Sequence, residues 1–235
     1  IDKYLLSYII NETTYENIWF KYTYYEGFEI LKTFINNIPN AKIATGISCF
    51  LLFDQFPICF YSTQDAANTN KYYLNIIVLD TVFIKGYLYD RPDNKIFQIG
   101  NSFNQIFFTK AIYLSKDRGV FCYYEVNKLF CDIIELNLNF ENLVITLGSG
   151  FVAKYENSDC ENDINKIDII KIEERKFIVG CIKNNQILID IITVNANYNS
   201  FTKDNIDLNV NAKTTLTLFL HEVTLAKNYY GVIFD

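Results

Sequence analysis

Cys122 and Cys131 stand nine residues apart near the midpoint of the chain, inside the run GVFCYYEVNKLFCDIIEL at 119–136. Val120, Phe121, Tyr123 and Tyr124 read as one β arm, and Leu129, Phe130, Ile133 and Ile134 as the other. Glu125, Val126, Asn127 and Lys128 supply the turn between them. A turn centred there sets Cys122 opposite Cys131, within reach of a cross-strand disulfide. The six cysteines follow one another at spacings of 10, 63, 9, 29 and 21. None forms the C-x-x-C pairs of zinc or thioredoxin-like sites. Hairpin geometry predicts Cys49–Cys59 and Cys122–Cys131, which leaves Cys160 for Cys181. The four cysteines of the second half allow three connectivities, so Cys122 joined to Cys160 or Cys181 is the alternative. Buried reduced thiols are the competing interpretation of all six.

With 235 residues, half of them hydrophobic and 17% aromatic, the chain has ample material for a core. Only 3 Pro and 9 Gly occur, so Asn and Asp serve as the turn residues. The net charge is −6, and it is uneven. Residues 1–115 carry 9 basic and 10 acidic side chains, and residues 116–235 carry 12 and 17. No basic stripe survives that balance, which argues against a nucleic-acid partner. The most apolar windows, 49–53 and 74–79, end at Asp54 and Asp80. Both fall short of the ~20 residues of a membrane helix, so no direct membrane span is expected. Met is absent even at position 1, as in a mature chain whose signal peptide has been removed. Asn11-Glu12-Thr13 is an N-glycosylation sequon and points the same way.

Along the chain, 1–10 and 15–25 read as strands. Phe28, Leu31, Phe34, Ile35 and Ile38 then recur at helical spacing before Pro39, which predicts a helix over 27–38. Residues 42–63 read as a hairpin turning at 54–57, with Cys49 and Cys59 on its arms. Strands follow at 72–79 and 81–89, closed by the turn 90–94. Ser102 and Gln105 have the spacing of a capping box, so 105–114 reads either as a helix or as a buried strand. The polar, glycine-ended stretch 115–119 divides the chain into domains at 1–116 and 117–235. The second is almost pure β, with strands at 167–173, 176–182, 186–194, 206–210, 214–224 and 229–234.

Gly148, Gly150 and Ala153 form a G-x-G-x-x-A after the apolar run 143–147. In a dinucleotide fold a helix opens there, but the following residues have no apolar helical face. A glycine turn between strands is the better interpretation. His221 is the only histidine; it stands in a strand-like run, with no G-x-S-x-G elsewhere. A multi-histidine metal site is excluded by arithmetic. Asp207, Asn209 and Asn211 alternate on one strand face, a solvated face rather than a calcium loop. No catalytic residue, metal or cofactor is therefore assigned. Four tyrosine doublets are more informative: Tyr24 and Tyr25, Tyr72 and Tyr73, Tyr123 and Tyr124, and Tyr229 and Tyr230. Adjacent strand residues point to opposite faces, so one ring of each pair turns away from its local core. That ring is either covered or offered to a protein partner. The doublet of Tyr123 and Tyr124, beside a disulfide, is the favoured anchor.

Two β-rich domains with dispersed cysteines and an Asn/Ile/Lys/Tyr bias resemble the six-cysteine (s48/45-type) surface proteins of malaria parasites. The resemblance covers the whole chain as layout, with Cys49 and Cys59 as the remnant of the first domain's set. It implies a mainly β fold of two tandem β-sandwich domains, disulfide-stapled, with mixed parallel and antiparallel strands; one or two short helices are added from the periodicity above. It further implies a secreted, extracellular protein, peripheral at the parasite cell surface. There it would be a non-enzymatic adhesin or assembly subunit of a multiprotein erythrocyte-invasion complex. Its partners would be proteins, among them a disulfide-linked membrane protein with a thrombospondin-type repeat. A secreted β-rich carbohydrate-binding or hydrolytic protein is the alternative function, and an intracellular coat-like β protein a third.

Overall fold

The structure, a computed structural model, describes residues 3–10, 17–26, 29–39, 42–43, 45, 47–52, 56–78, 81–84, 87–90, 95–115, 117–139, 144–161, 163–223 and 228–234. The chain divides into two compact units, Ile1–Ala111 and Ile112–Asp235.

In the first unit, β1 (Lys3–Ile10), β2 (Asn17–Glu26) and β3 (Glu29–Pro39) form a three-stranded meander. β3 overturns the helix expected at 27–38. It pairs with β2 from Glu26↔Glu29 to Asn17↔Pro39. Ile30, Thr33, Ile35 and Ile38 are β-branched and lose side-chain freedom in a helix. A short connection brings them beside a ready partner strand, and pairing outweighs the helical spacing. The next sheet contains β4 (Lys42–Ile43), β5 (Ser48–Leu52), β6 (Phe56–Gln64), β7 (Tyr72–Val78) and, after the hairpin β8 (Thr81–Ile84) and β9 (Tyr87–Asp90), β10 (Lys95–Phe103). Its order is β10-β7-β6-β4, with β5 also on β6. Leu52, Phe56, Ile58, Phe60, Leu74 and Ile76 are fully buried. Among them, the Thr45 hydroxyl bonds those of Ser62 at 3.0 Å and Thr109 at 2.6 Å, so these buried polar groups are satisfied.

β11 (Ile106–Ser115) settles 105–114 as a strand; Asn104 and Gln105 turn the chain out of β10 instead of capping a helix. The division between the two units falls inside β11. With β12 (Arg118–Glu125), β13 (Lys128–Asn139) and β14 (Val144–Asn157) it makes a sheet of order β11-β12-β13-β14. The β12–β13 register sets Cys122 against Cys131 and turns at Val126 and Asn127. Gly148–Ala153 lies within β14, not in a turn between strands. A Cβ on Gly148 would sit 2.9 Å from the Glu135 side chain, where the β13–β14 register shifts. Gly148 serves close approach at an irregular stretch of ladder.

A 3-10 turn at Ile164–Lys166 leads into β15 (Ile167–Glu173), β16 (Lys176–Lys183), β17 (Gln186–Val194) and β18 (Phe201–Asn211), a four-stranded sheet in that order. Asn184 and Asn185 both take positive φ between β16 and β17, the role glycine usually fills in a tight hairpin. β19 (Leu216–Val223) and β20 (Asn228–Phe234) close the chain as a hairpin. Every strand register described is antiparallel. The parallel strands and short α-helices of the expectation are not among the described elements.

All six cysteines are bonded, as Cys49–Cys59, Cys122–Cys131 and Cys160–Cys181. Three disulfides fit an oxidising, extracellular setting. Among the described residues no helix is long and apolar enough to cross a membrane.

Candidate contact surface

The favoured tyrosine anchor is not available at the surface. Tyr123 and Tyr124 are 2% and 3% exposed. Adjacent side chains do point to opposite faces, but here both faces are covered. On one, the Tyr124 hydroxyl donates to the Cys160 carbonyl at 3.0 Å. On the other, Tyr123 packs on Phe130 with ring centroids 5.4 Å apart. Tyr72 is buried, and the half-buried Tyr73 donates its hydroxyl to Asp65 at 2.9 Å. Tyr24 and Tyr25 lie on β2, where Tyr25 is in register with Tyr4 of β1, and their side chains lie outside the described residues. Tyr229 and Tyr230 lie on β20, where Tyr230 is in register with Leu220 of β19, and their side chains lie outside them as well. Asn11 lies outside the described residues altogether, and so does the side chain of His221 on β19.

Beside Tyr123, Asp132 is 1% exposed and one of its oxygens has no hydrogen-bond partner. Burial pushes its carboxyl up to about 6, against the pull of Lys154 and the Tyr123 hydroxyl. The folded state thus takes up this proton before the unfolded state does. Stability from this group grows as pH falls through about 6 and is lost as pH rises through it. Asp132→Asn is expected to stabilise the second unit at pH 7.5 by about 1–3 kcal/mol and to flatten the dependence between pH 4 and 6. Thermal melts across that range check it; an unchanged pH profile contradicts it.

Among the described residues, an open apolar surface lies on the β15–β18 sheet. Its registers place Ile170, Ile178, Ile189 and Ile206 on one face, with Ile182 and Ile187 beside them. Burying such a face requires a second layer. The β19–β20 hairpin supplies it through Leu216, Leu218 and Val232, but it has only two strands for four. Gly231 lets that hairpin close tightly, for a Cβ there would lie 2.3 Å from the Phe219 ring.

What the hairpin does not cover is a groove of about 150 Å³, lined by Ile170, Ile178, Ile189, Ile206, Leu208, Leu218, Gly231 and Val232. Ile206 and Leu208 are 40% and 37% exposed, and Ile233 and Phe234 of β20 are 60% and 39% exposed. The alternation Ile206, Leu208, Val210 is the signal in the sequence that points here. It is the complement of Asp207, Asn209, Asn211, and only the pairing of β18 with β17 shows which set meets the isoleucines.

The opposite face carries a polar cluster with a different character. Asp190, 1% exposed, accepts from the Tyr155 hydroxyl at 2.5 Å, from Asn157 at 3.0 Å and from Asn205 at 2.8 Å. Lys203 adds a contact at 3.4 Å. Burial and the Asp190 carboxylate raise the Tyr155 hydroxyl well above its ordinary pKa. The cluster therefore ties β14, β17 and β18 together. No protein-family model matches the chain, and no curated protein matches its sequence.

Proposed function

We propose that the chain is a non-enzymatic, secreted protein that acts at a cell surface as an adhesin or assembly subunit. The apolar groove beside β18 carries this reading, because contiguous exposed hydrophobics on a soluble surface mark contact sites. The layout resemblance to six-cysteine surface proteins extends it to a multiprotein complex for erythrocyte invasion. With every cysteine in an internal bond, the partner is held by surface contact; a disulfide-linked partner requires one of those bonds to open. The anchors move from Tyr123 and Tyr124 to Ile206 and Leu208. Replacing Ile206 and Leu208 together by Asp is expected to weaken binding of partners from native surface membranes at least thirtyfold, about 2 kcal/mol or more. The melting temperature should stay within a few degrees of the parent. Undiminished binding by the folded variant would falsify the reading.

A further inference from the structure

We propose that the groove receives an extended segment of another protein, apolar in alternation and flanked by basic residues, which adds as a third strand to β20. The inference rests on the reading of the chain as a contact protein and names what it grips. The hairpin has two outer edges, and they are treated differently. On the β19 side, the buried carboxylate of Asp168 accepts the Leu218 backbone N–H at 2.7 Å and caps that edge at Leu218. On the β20 side, no strand follows among the described residues. β18 is likewise terminal in its own sheet. Both open edges border the same groove, since β18 contributes Ile206 and Leu208 to it and β20 contributes Gly231 and Val232.

Neighbouring strands lie about 4.8 Å apart and facing sheets about 10 Å. One more strand beside β20 would therefore stand over β17 and β18 and complete the second layer. Its inward side chains would rest on Ile189, Ile206 and Leu208. Edge strands are usually blunted by Lys, Pro or other charges; β20, NYYGVIF, has none. Charge selects the occupant. Asp204 is an exposed carboxylate on β18, whereas Lys203 is turned to Asp190 at 3.4 Å. Residues 116–235 carry 17 acidic and 12 basic side chains, so basic flanks are attracted and a second acidic copy of this chain is repelled. Main-chain pairing would supply affinity and the alternate apolar side chains specificity, as in other strand-addition complexes.

The test uses the full chain and a fluorescein-labelled peptide of four Val-Thr repeats with two lysines at each end. Fluorescence anisotropy is expected to show saturable binding, with amide exchange slowed in 228–234. Glutamate in place of the lysines should weaken binding about tenfold at low salt, and prolines in the repeats should abolish it. Ile206→Asp should weaken it at least about tenfold; Leu208→Thr replaces that variant if its melting temperature drops. Absent binding, equal binding of the proline peptide, or protection away from β20 overturns strand addition. A dimer in sedimentation that protects β20 overturns it too, since a second copy would then fill the groove. If Ile206→Asp loses native membrane partners while no peptide binds, strand addition fails and the contact reading stands. If those partners bind the folded variant unchanged, both fail.

Discussion

Asp190→Ala is expected to destabilise the second unit by about 3–5 kcal/mol, the largest effect of any single substitution considered. The carboxylate is 1% exposed and holds three donors, of which the Tyr155 hydroxyl and the Asn157 amide are buried and the Asn205 amide is on an exposed residue. Removing it strands the Tyr155 hydroxyl and the Asn157 amide, both buried, at about 1–3 kcal/mol each. The cavity left in place of the carboxylate adds to that. Lys203 contributes little, because its ammonium remains 43% exposed and keeps its hydration. In a unit of this size the loss corresponds to a melting temperature roughly 10–20 °C lower. Asp190→Asn should fall between parent and Ala, since one oxygen still accepts while the new amide meets the donors of Asn157 or Asn205. Equal melting of parent and Asp190→Ala contradicts the assignment of this cluster as the tie among β14, β17 and β18.

Replacing Cys160 and Cys181 together by Ala is expected to cost roughly 3–3.5 kcal/mol. The bond closes a loop of 21 residues, against 9 for Cys122–Cys131, and the entropy removed from the unfolded chain grows with loop length. The matching double replacement at Cys122 and Cys131 should cost roughly 2.5–3 kcal/mol. Position matters beyond length. Cys122 and Cys131 lie on strands already paired, whereas Cys160 belongs to an irregular segment entering β15. That segment is also held by Tyr124 on the Cys160 carbonyl, by the Glu161 N–H on the Ile182 carbonyl, by Lys183 on Asp159, and by the Glu161 carboxylate, which accepts from Lys166 at 2.6 Å and the Asn184 N–H at 2.8 Å. The Lys166 contact, chief among these, keeps the Glu161 carboxyl below its ordinary pKa. Denaturant midpoints measure the two costs, and limited proteolysis should cut the Cys160 variant first near 158–163. Equal midpoints for parent and variant contradict the account.

Much of the fold was legible because its signals are local. The run 119–136 names both arms of a hairpin, its turn and its disulfide. Asn184 and Asn185 stand where a chain poor in glycine must turn. What escaped depends on partners distant in sequence. Ile30, Thr33, Ile35 and Ile38 have the spacing of a helix and the branching of a strand, and β2 decides between them. Gly148 and Gly150 resemble a phosphate loop until Glu135 is seen across the ladder. Tyr123 and Tyr124 do alternate, but alternation does not reveal that both faces are covered. The Asp190 cluster draws on three strands, so nothing marked that aspartate among 27 acidic residues. The groove escaped for the same reason: four separate strands supply its isoleucine face, and the shortfall is in the layer above them.

Site-specific photocrosslinking tests the central claim, that this unit engages its partner beside β18. Benzoylphenylalanine is placed singly at Leu208 in the groove and at Val126, which is 49% exposed at the tip of the β12–β13 hairpin. Each folded protein is irradiated on native surface membranes. A partner crosslinked from position 208 and not from 126 is the predicted result. Crosslinking from 126 alone, or the same products from both positions, contradicts it.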